Sequence, residues 1–333
     1  MSHTQLFDAL IIGGGPAGLA AAMALGRACR SVALFDSQEY RNESATMMHN
    51  VLCHDGQKPE HFRATAVREI MDKYDTVTFI DTQIIRTRLV FNGSCRLFEL
   101  TNQKGLVWLG RKLIFASGTK DVLPSITGYK EHWGRGIVHC LFCDAYENRG
   151  GHIGLLGLQS QDLDPMLMAL RLTQDKVTVF TNGEGVATDE AGQMCFEIAT
   201  ALGVKFDHRP LKSISQNPHG VGIQLNFQDD SNESIRMLMS APPSVNRAAD
   251  LISSLGLETL PGSDGHVVSK SMMGESSLPG CFVAGDTSTA AKIVHIAMSS
   301  GTLAGIGVAK QLAHEEGLKA LETMSSRGSQ GHL

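Results

Sequence analysis

The first regular pattern along the chain is a short apolar run, Asp8 to Ile12, broken by Gly13-Gly14-Gly15-Pro16-Ala17-Gly18. A stretch of small apolar residues follows from Leu19 to about Arg27, and Ser31 to Phe35 is a second apolar run that ends at Asp36. Short apolar runs bounded by glycine read as buried strands, and the small-residue stretch between them reads as the crossover helix of a βαβ unit. A weaker copy begins after Gly151. Ile153 to Leu156 predicts a strand, Asp164-Pro165 an N-cap and first helical position, Met166 to Leu172 a helix, and Lys176 to Phe180 the next strand. In the last third, Cys281 to Ala284 predicts a strand closed by Gly285-Asp286, and Ile293 to about Leu312 a helix. The polar tail from Ser325 is expected to be unstructured. The fold class is therefore α/β with two Rossmann-like nucleotide-binding domains.

Composition narrows the function classes. A chain of 333 residues has room for two average domains. A net charge of -5 without a basic run argues against a nucleic-acid partner. The most membrane-like stretch, Phe7 to Gly26, carries Asp8 and many glycines, so a strand-turn-helix explains it and no membrane partner is expected. Nothing at the N-terminus reads as a secretion signal, and the expected compartment is the cytoplasm. The 7 cysteines are scattered and odd in number, which is no disulfide framework.

The glycine run has a specific chemistry. A pyrophosphate needs backbone N–H groups at a helix N-terminus with no Cβ in the way. Gly13 makes the turn, Gly15 admits the phosphates, and Gly18 lets the helix pack on the strand. Asp36 is placed to accept hydrogen bonds from ribose hydroxyls, and its charge repels a 2′-phosphate. The site favours FAD or NAD over NADP.

Cys140-Leu141-Phe142-Cys143, followed by Asp144, is the one cysteine pair that stands out by spacing. Two cysteines three apart can close a small disulfide ring, with the N-terminal thiol often acidified. Half a zinc site is the alternative, but His132 and His139 supply no second close pair, and no metal is expected. His139 and His49 are as readily packed side chains as proton carriers. His295 is a third histidine of interest, and Cys53 reads as an incidental thiol.

The order GGGPAG, Asp36, Ala116-Ser117-Gly118, CxxCD, a second βαβ unit and Cys281-Phe282-Val283-Ala284-Gly285-Asp286 resembles low-molecular-weight thioredoxin reductases over nearly the whole chain. The resemblance implies an FAD domain from residues 1–120 and 243–333, with a pyridine-nucleotide-type module at 121–242 that carries the CxxC. It implies that Cys143 sits by the flavin, Cys140 exchanges with substrate, and Asp144 donates a proton. Around FAD it implies Gly13, Gly15, Pro16, Ala17, Gly18, Asp36, Ser37, Arg41, Asn42, His49, Asn50, Ser117, Gly118, Gly285, Asp286, Lys292, Ile293 and Val294. It also implies a homodimer.

The second nucleotide site departs from that family. Gln159 stands where a glycine should admit a pyrophosphate, and Asp162 and Asp164 place negative charge at the helix N-terminus. No Lys or Arg occurs between Lys176 and Lys205, where a 2′-phosphate would need one. NADPH is not expected as a cofactor. This pattern resembles the gliotoxin- and holomycin-type dithiol oxidases, through Tyr40-Arg41-Asn42, Met48-His49-Asn50-Val51-Leu52, Asp55, His139 to Asp144, and Tyr146-Glu147. The resemblance implies a small dithiol substrate, oxidised at the Cys140–Cys143 pair to a cyclic disulfide, with FAD passing electrons to O2 and H2O2 formed. His139 joins Cys140, Cys143 and Asp144 as a catalytic candidate. An NADPH-dependent thioredoxin-type reductase and a non-catalytic redox-sensing flavoprotein are the alternatives.

Overall fold

The computed structural model describes residues 5–93, 95–158, 163–173, 176–185 and 189–330, without the side chains of 326–330. The chain forms two compact units. One comprises residues up to Arg41, Arg63–Lys120 and Ser244 onward, and the other comprises Asn42–Phe62 and Asp121–Pro243. Residues 42–62, which the sequence reading leaves in the FAD domain, thus cluster with the cysteine-bearing unit.

In the first unit β1 (Leu6–Ile12) leads through the glycine turn into α1 (Pro16–Arg27) and back to β2 (Val32–Asp36). The sheet continues with β3 (Val77–Asp81), β4 (Ile84–Asn92), β5 (Cys95–Asn102) and β6 (Val107–Phe115) in the order β3-β2-β1-β6-β5-β4. β1, β2, β3 and β6 run parallel, β5 and β4 extend the sheet antiparallel, and the strand Cys281–Val283 lies parallel beside β6. Alternation along β1 divides the core. Ala9 and Ile11 face Ala21, Ala22 and Leu25 of α1 with Ala304, Val308 and Leu312. Leu10 and Ile12 face Phe98, Phe115, Leu251 and Ile252 on the other side. Small residues let the C-terminal helix cross α1 closely: a Cβ on Gly301 would lie 2.0 Å from the Ala17 carbonyl oxygen.

That helix runs Val294–Gln330, so the expected stop near Leu312 and the unstructured tail from Ser325 are corrected. The reason lies just past Leu312. Glu316 binds Arg30 and Arg111 at 2.7 and 2.6 Å, and Glu315 binds Lys112. With these turns anchored, and no proline to end it, the helix propagates.

The second unit holds a five-stranded parallel sheet in the order Lys205–Asp207, Val177–Phe180, Ile153–Leu156, Met237–Met239, Ile137–Val138. An antiparallel sheet of Leu211–Gln216, Ile223–Phe227 and Asn232–Ile235 accompanies it. The unit has its own apolar core, with Ile153, Leu155, Val177 and Val179 packed on Met166, Ala169, Cys195 and Ala199. The helix expected to begin at Pro165 spans Leu163–Thr173, so Asp164 lies inside its first turn. Gln159 and Asp162 lie outside the described residues.

Candidate active site

The strand Ile137–Val138 is the edge of the parallel sheet, and the chain leaves its carboxyl end directly into His139 and Cys140. Carboxyl ends of parallel strands are where α/β folds expose reactive groups. Cys140 is the N-cap of the short helix Leu141–Asp144, and it is disulfide-bonded to Cys143 with the Cα atoms 5.3 Å apart. Leu141 and Ala145 are buried and root this turn in the core, while Phe142 is 73% and Tyr146 64% exposed. Asn148 Nδ2 donates to the Asp144 carbonyl at 2.9 Å, and Arg236 Nε donates to Asn148 Oδ1 at 2.9 Å, fixing the turn Tyr146–Asn148. The Arg149 guanidinium lies 4.2 Å from the Tyr146 ring centroid.

The loop 42–62 folds around its own polar groups. The Met48 N–H donates to the Gln57 carbonyl at 2.7 Å, and the Asn50 N–H donates to Asp55 Oδ1 at 2.7 Å. Glycine at position 134 is what admits this loop, because a Cβ there would stand 2.8 Å from the Ser44 carbonyl carbon. His49 Nδ1 lies 3.6 Å from Asp55 Oδ2 and 3.7 Å from Glu147 Oε1, buried and without a hydrogen bond. Burial pushes the Asp144 carboxyl up to about 6. Glu147 adds to that rise, and the charge of His49 opposes it.

Thus Cys140, Cys143, Asp144 and His49 share one unit with Asp55 and Glu147. Sequence reasoning assigned Asp55 and Glu147 no role, although both lie in the segments that carry the dithiol-oxidase resemblance. His139 instead packs against Trp133, ring centroids 5.9 Å apart, and Trp133 stacks on Tyr129. Asn42 and Asn50, expected near FAD, also fall in this unit, and His295 lies in the other. Among the described residues no group of three or more His, Cys, Asp or Glu is placed to hold a metal ion.

The first unit carries the remaining cofactor candidates. Gly15 is the N-cap of α1, with no side chain capping the helix, and a Cβ built on it meets no protein atom within 4 Å. The start of the helix at Pro16 and Ala17 is therefore left uncapped by any side chain and uncrowded at Gly15, as a pyrophosphate requires. A Cβ on Gly18 would lie 1.8 Å from the Gly13 carbonyl oxygen, so this glycine is needed for the turn itself. Asp36, at the end of β2 with exposed Ser37 beside it, accepts from the Gln38 N–H at 3.0 Å and from the Tyr40 hydroxyl. Gly118 N donates to Thr287 Oγ1 at 2.9 Å and Ser117 Oγ lies 3.4 Å from the same oxygen. The Gly285 N–H donates to Ser300 Oγ at 2.9 Å, and Asp286 lies 3.8 Å from Arg41. Lys292, just before Ile293 and Val294, is bound to Ser244 and Asp264. Open glycine loop, ribose acid and the Gly285-Asp286 turn together fit FAD.

Residues 7–301 match the family of pyridine nucleotide-disulphide oxidoreductases. The chain is 37% identical to the thioredoxin reductase tcpT of Claviceps purpurea, covering 94% of this chain and 96% of that one. It is 36% identical to the thioredoxin reductase aclD of Aspergillus oryzae, covering 94% and 99%. Among solved structures it resembles HlmI, with a TM-score of 0.87 and 25% identity over 98% of this chain and 99% of that one. An oxidoreductase from Agrobacterium tumefaciens superposes with a TM-score of 0.81 and 29% identity, covering 93% and 99%. With that match, those relatives, a disulfide-bonded CxxC and a glycine loop that fits FAD, the chain belongs to the pyridine nucleotide-disulphide oxidoreductases, as a thioredoxin reductase-like flavoprotein.

Proposed function

We propose that the protein is an FAD-dependent dithiol oxidase that closes an intramolecular disulfide in a small dithiol and reduces O2 to H2O2. The carrying observation is the state of the polar groups that follow Phe180, where a pyridine nucleotide's 2′-phosphate would need a cation. Thr181 Oγ1 is hydrogen-bonded to His208 Nδ1 at 3.1 Å, and Asn182 Oδ1 accepts from the Leu211 N–H at 2.7 Å. The nearby guanidinium, Arg209, is taken by Asp207 at 3.0 Å and Glu233 at 3.3 Å, and lies 3.8 Å over the Phe227 ring. A cation already neutralised by two carboxylates offers little to a phosphate. That arrangement supports electrons entering from thiols rather than from NADPH.

In this reading a substrate thiolate attacks Cys140 Sγ, breaking the Cys140–Cys143 bond and releasing Cys143 as a thiolate. The substrate's second thiol then attacks the mixed disulfide, releasing Cys140 and a cyclic disulfide. Asp144 exchanges the protons that these steps move. Bound FAD supplies the two-electron acceptor that returns the pair to its oxidised form, with O2 as the final oxidant. The sum is one dithiol and one O2 giving one disulfide and one H2O2. Ring closure is intramolecular, and effective molarities for such steps reach about 10⁵ M or more, so a dithiol should outrun a matched monothiol.

The test is H2O2 formed per disulfide produced, in air and under argon, with a dithiol and a matched monothiol. One H2O2 per disulfide, a dithiol preference and no turnover under argon are expected. A strict need for added thioredoxin, or rapid anaerobic bleaching of the flavin by NADPH, would instead favour a thioredoxin-type reductase, the reading that the names of the relatives suggest.

A further inference from the structure

We infer that Tyr40 is a positioning residue for the cofactor: its hydroxyl fixes the Asp36 carboxylate in the orientation that receives the adenosine ribose diol of FAD, and Arg63 braces the Tyr40 ring. The geometry carries this, and all of it lies within the first unit. Asp36 ends β2, and its carboxylate lies against the glycine turn, because a Cβ on Gly14 would stand 2.1 Å from Oδ2. Gly14 directly precedes Gly15, the uncrowded N-cap of α1. The torsion that turns a carboxylate is soft, so one orientation persists only with partners on both oxygens. Asp36 has them. The Gln38 N–H donates to Oδ1 at 3.0 Å, and the Tyr40 hydroxyl donates to Oδ2. The Gln38 side-chain amide is a longer contact to Oδ2 at 3.4 Å, and its stronger bond is to Asp81 Oδ1 at 3.0 Å.

Tyr40 is itself braced. The Arg63 guanidinium carbon lies 3.7 Å from its ring centroid, a cation–π contact from a distant segment of the chain. Gln38 stands at φ 62°, in the left-handed region that side chains rarely adopt. Glu39 binds Arg247 at 2.7 Å, and Arg41 lies 3.8 Å from Asp286, so the segment is tied on both sides of Tyr40. Strained backbone kept in place by such ties is a mark of a binding site. What is left over on Asp36 decides the ligand. Each carboxylate oxygen accepts two hydrogen bonds, so one strong donor on each leaves one strong position per oxygen. Two such positions side by side match the two hydroxyls of a vicinal diol. Without the Tyr40 hydroxyl, Oδ2 loses its shortest contact, the carboxylate turns, and the diol no longer meets both oxygens at once.

The inference rests on the flavin-binding part of the proposed function, not on its thiol or oxygen chemistry, and the experiment measures binding alone. Flavin is removed reversibly from the full-length protein, and Kd is measured by calorimetry for FAD and for its analogue lacking the adenosine 2′-hydroxyl. Wild type should prefer FAD by about thirtyfold, as expected for one hydrogen bond to a charged group. Tyr40→Phe keeps the ring and removes only the hydroxyl. It should weaken FAD by about tenfold and the 2′-deoxy analogue by less than about threefold, so that the preference shrinks. Asp36→Ala should abolish the preference, and Tyr40→Phe added to it should change neither affinity further. Arg63→Met should lower the preference in the same direction and by less; it serves where Tyr40→Phe does not fold. Equal losses for both ligands in Tyr40→Phe, or a loss that persists undiminished without Asp36, overturn the inference and leave the oxidase reading standing. Failure to form H2O2 would sink that reading and leave this result in place.

Discussion

His49 Nδ1 and Glu147 Oε1 lie 3.7 Å apart, joining the loop 42–62 to the turn that follows the cysteine helix. The two residues belong to one compact unit, so a loop that the sequence order attaches to the FAD domain here meets the turn that follows the cysteine pair.

The glycine loop gives a clean separation of ligand from fold. Gly15 has φ of -75°, and its Cβ position is empty of protein atoms. Gly15→Val should therefore fold with a near-normal far-UV spectrum and melt cooperatively, yet purify with less than about a tenth of the wild-type flavin absorbance. Gly18→Val, whose Cβ would strike the Gly13 carbonyl, should fail to give soluble protein. Retained flavin in Gly15→Val would move the pyrophosphate elsewhere.

The two cysteines should behave differently towards a dithiol. Cys143→Ser should accumulate one substrate molecule as a mixed disulfide on Cys140, visible as added mass that a reductant removes. Cys140→Ser should accumulate none and lose turnover by at least about a hundredfold. Substrate trapped on Cys143 instead would reverse the roles.

Asp144 makes a prediction about stability with a definite sign. Its carboxyl is raised from 3.8 to about 6 in the fold, so the native state binds the proton more tightly than the unfolded chain. Stability is therefore full below the unfolded value and declines as pH rises from about 4 through about 6. Asp144→Asn should raise the melting temperature at pH 7.5, by the equivalent of on the order of 2 kcal/mol, and leave it unchanged at pH 4. Thermal melts at the two pH values check this, and an equal shift at both would contradict it.

Phe142 stands 73% exposed between the two cysteines. Phe142→Ala should change unfolding free energy by no more than about 0.5 kcal/mol, since little buried contact is lost. It should lower kcat/KM for an apolar dithiol by about tenfold while leaving a small hydrophilic dithiol much less affected. Equal losses for both would show that Phe142 serves the turn and not the substrate.

The elements closest to the active groups were legible in the sequence because their signals are local. The strand Ile153–Leu156 was placed to the residue, and β1, α1 and β2 to within a few, since apolar runs and glycine sterics act over one or two turns of chain. The continuation of the C-terminal helix to Gln330 was not legible. It depends on Glu315 and Glu316 meeting Arg30, Arg111 and Lys112, which lie far away in sequence.

By itself, then, the sequence determined the α/β class, the glycine turn from Gly13 to Gly18, the acid at Asp36 and the paired cysteines, all properties of residue type at short spacing. The tertiary structure alone decided that the loop 42–62 joins the disulfide unit, that His49 faces Asp55 and Glu147, and that Asp144 keeps its proton to about pH 6. Burial and the charge of a distant neighbour set a carboxyl's affinity for its proton, and neither exists until the chain has folded.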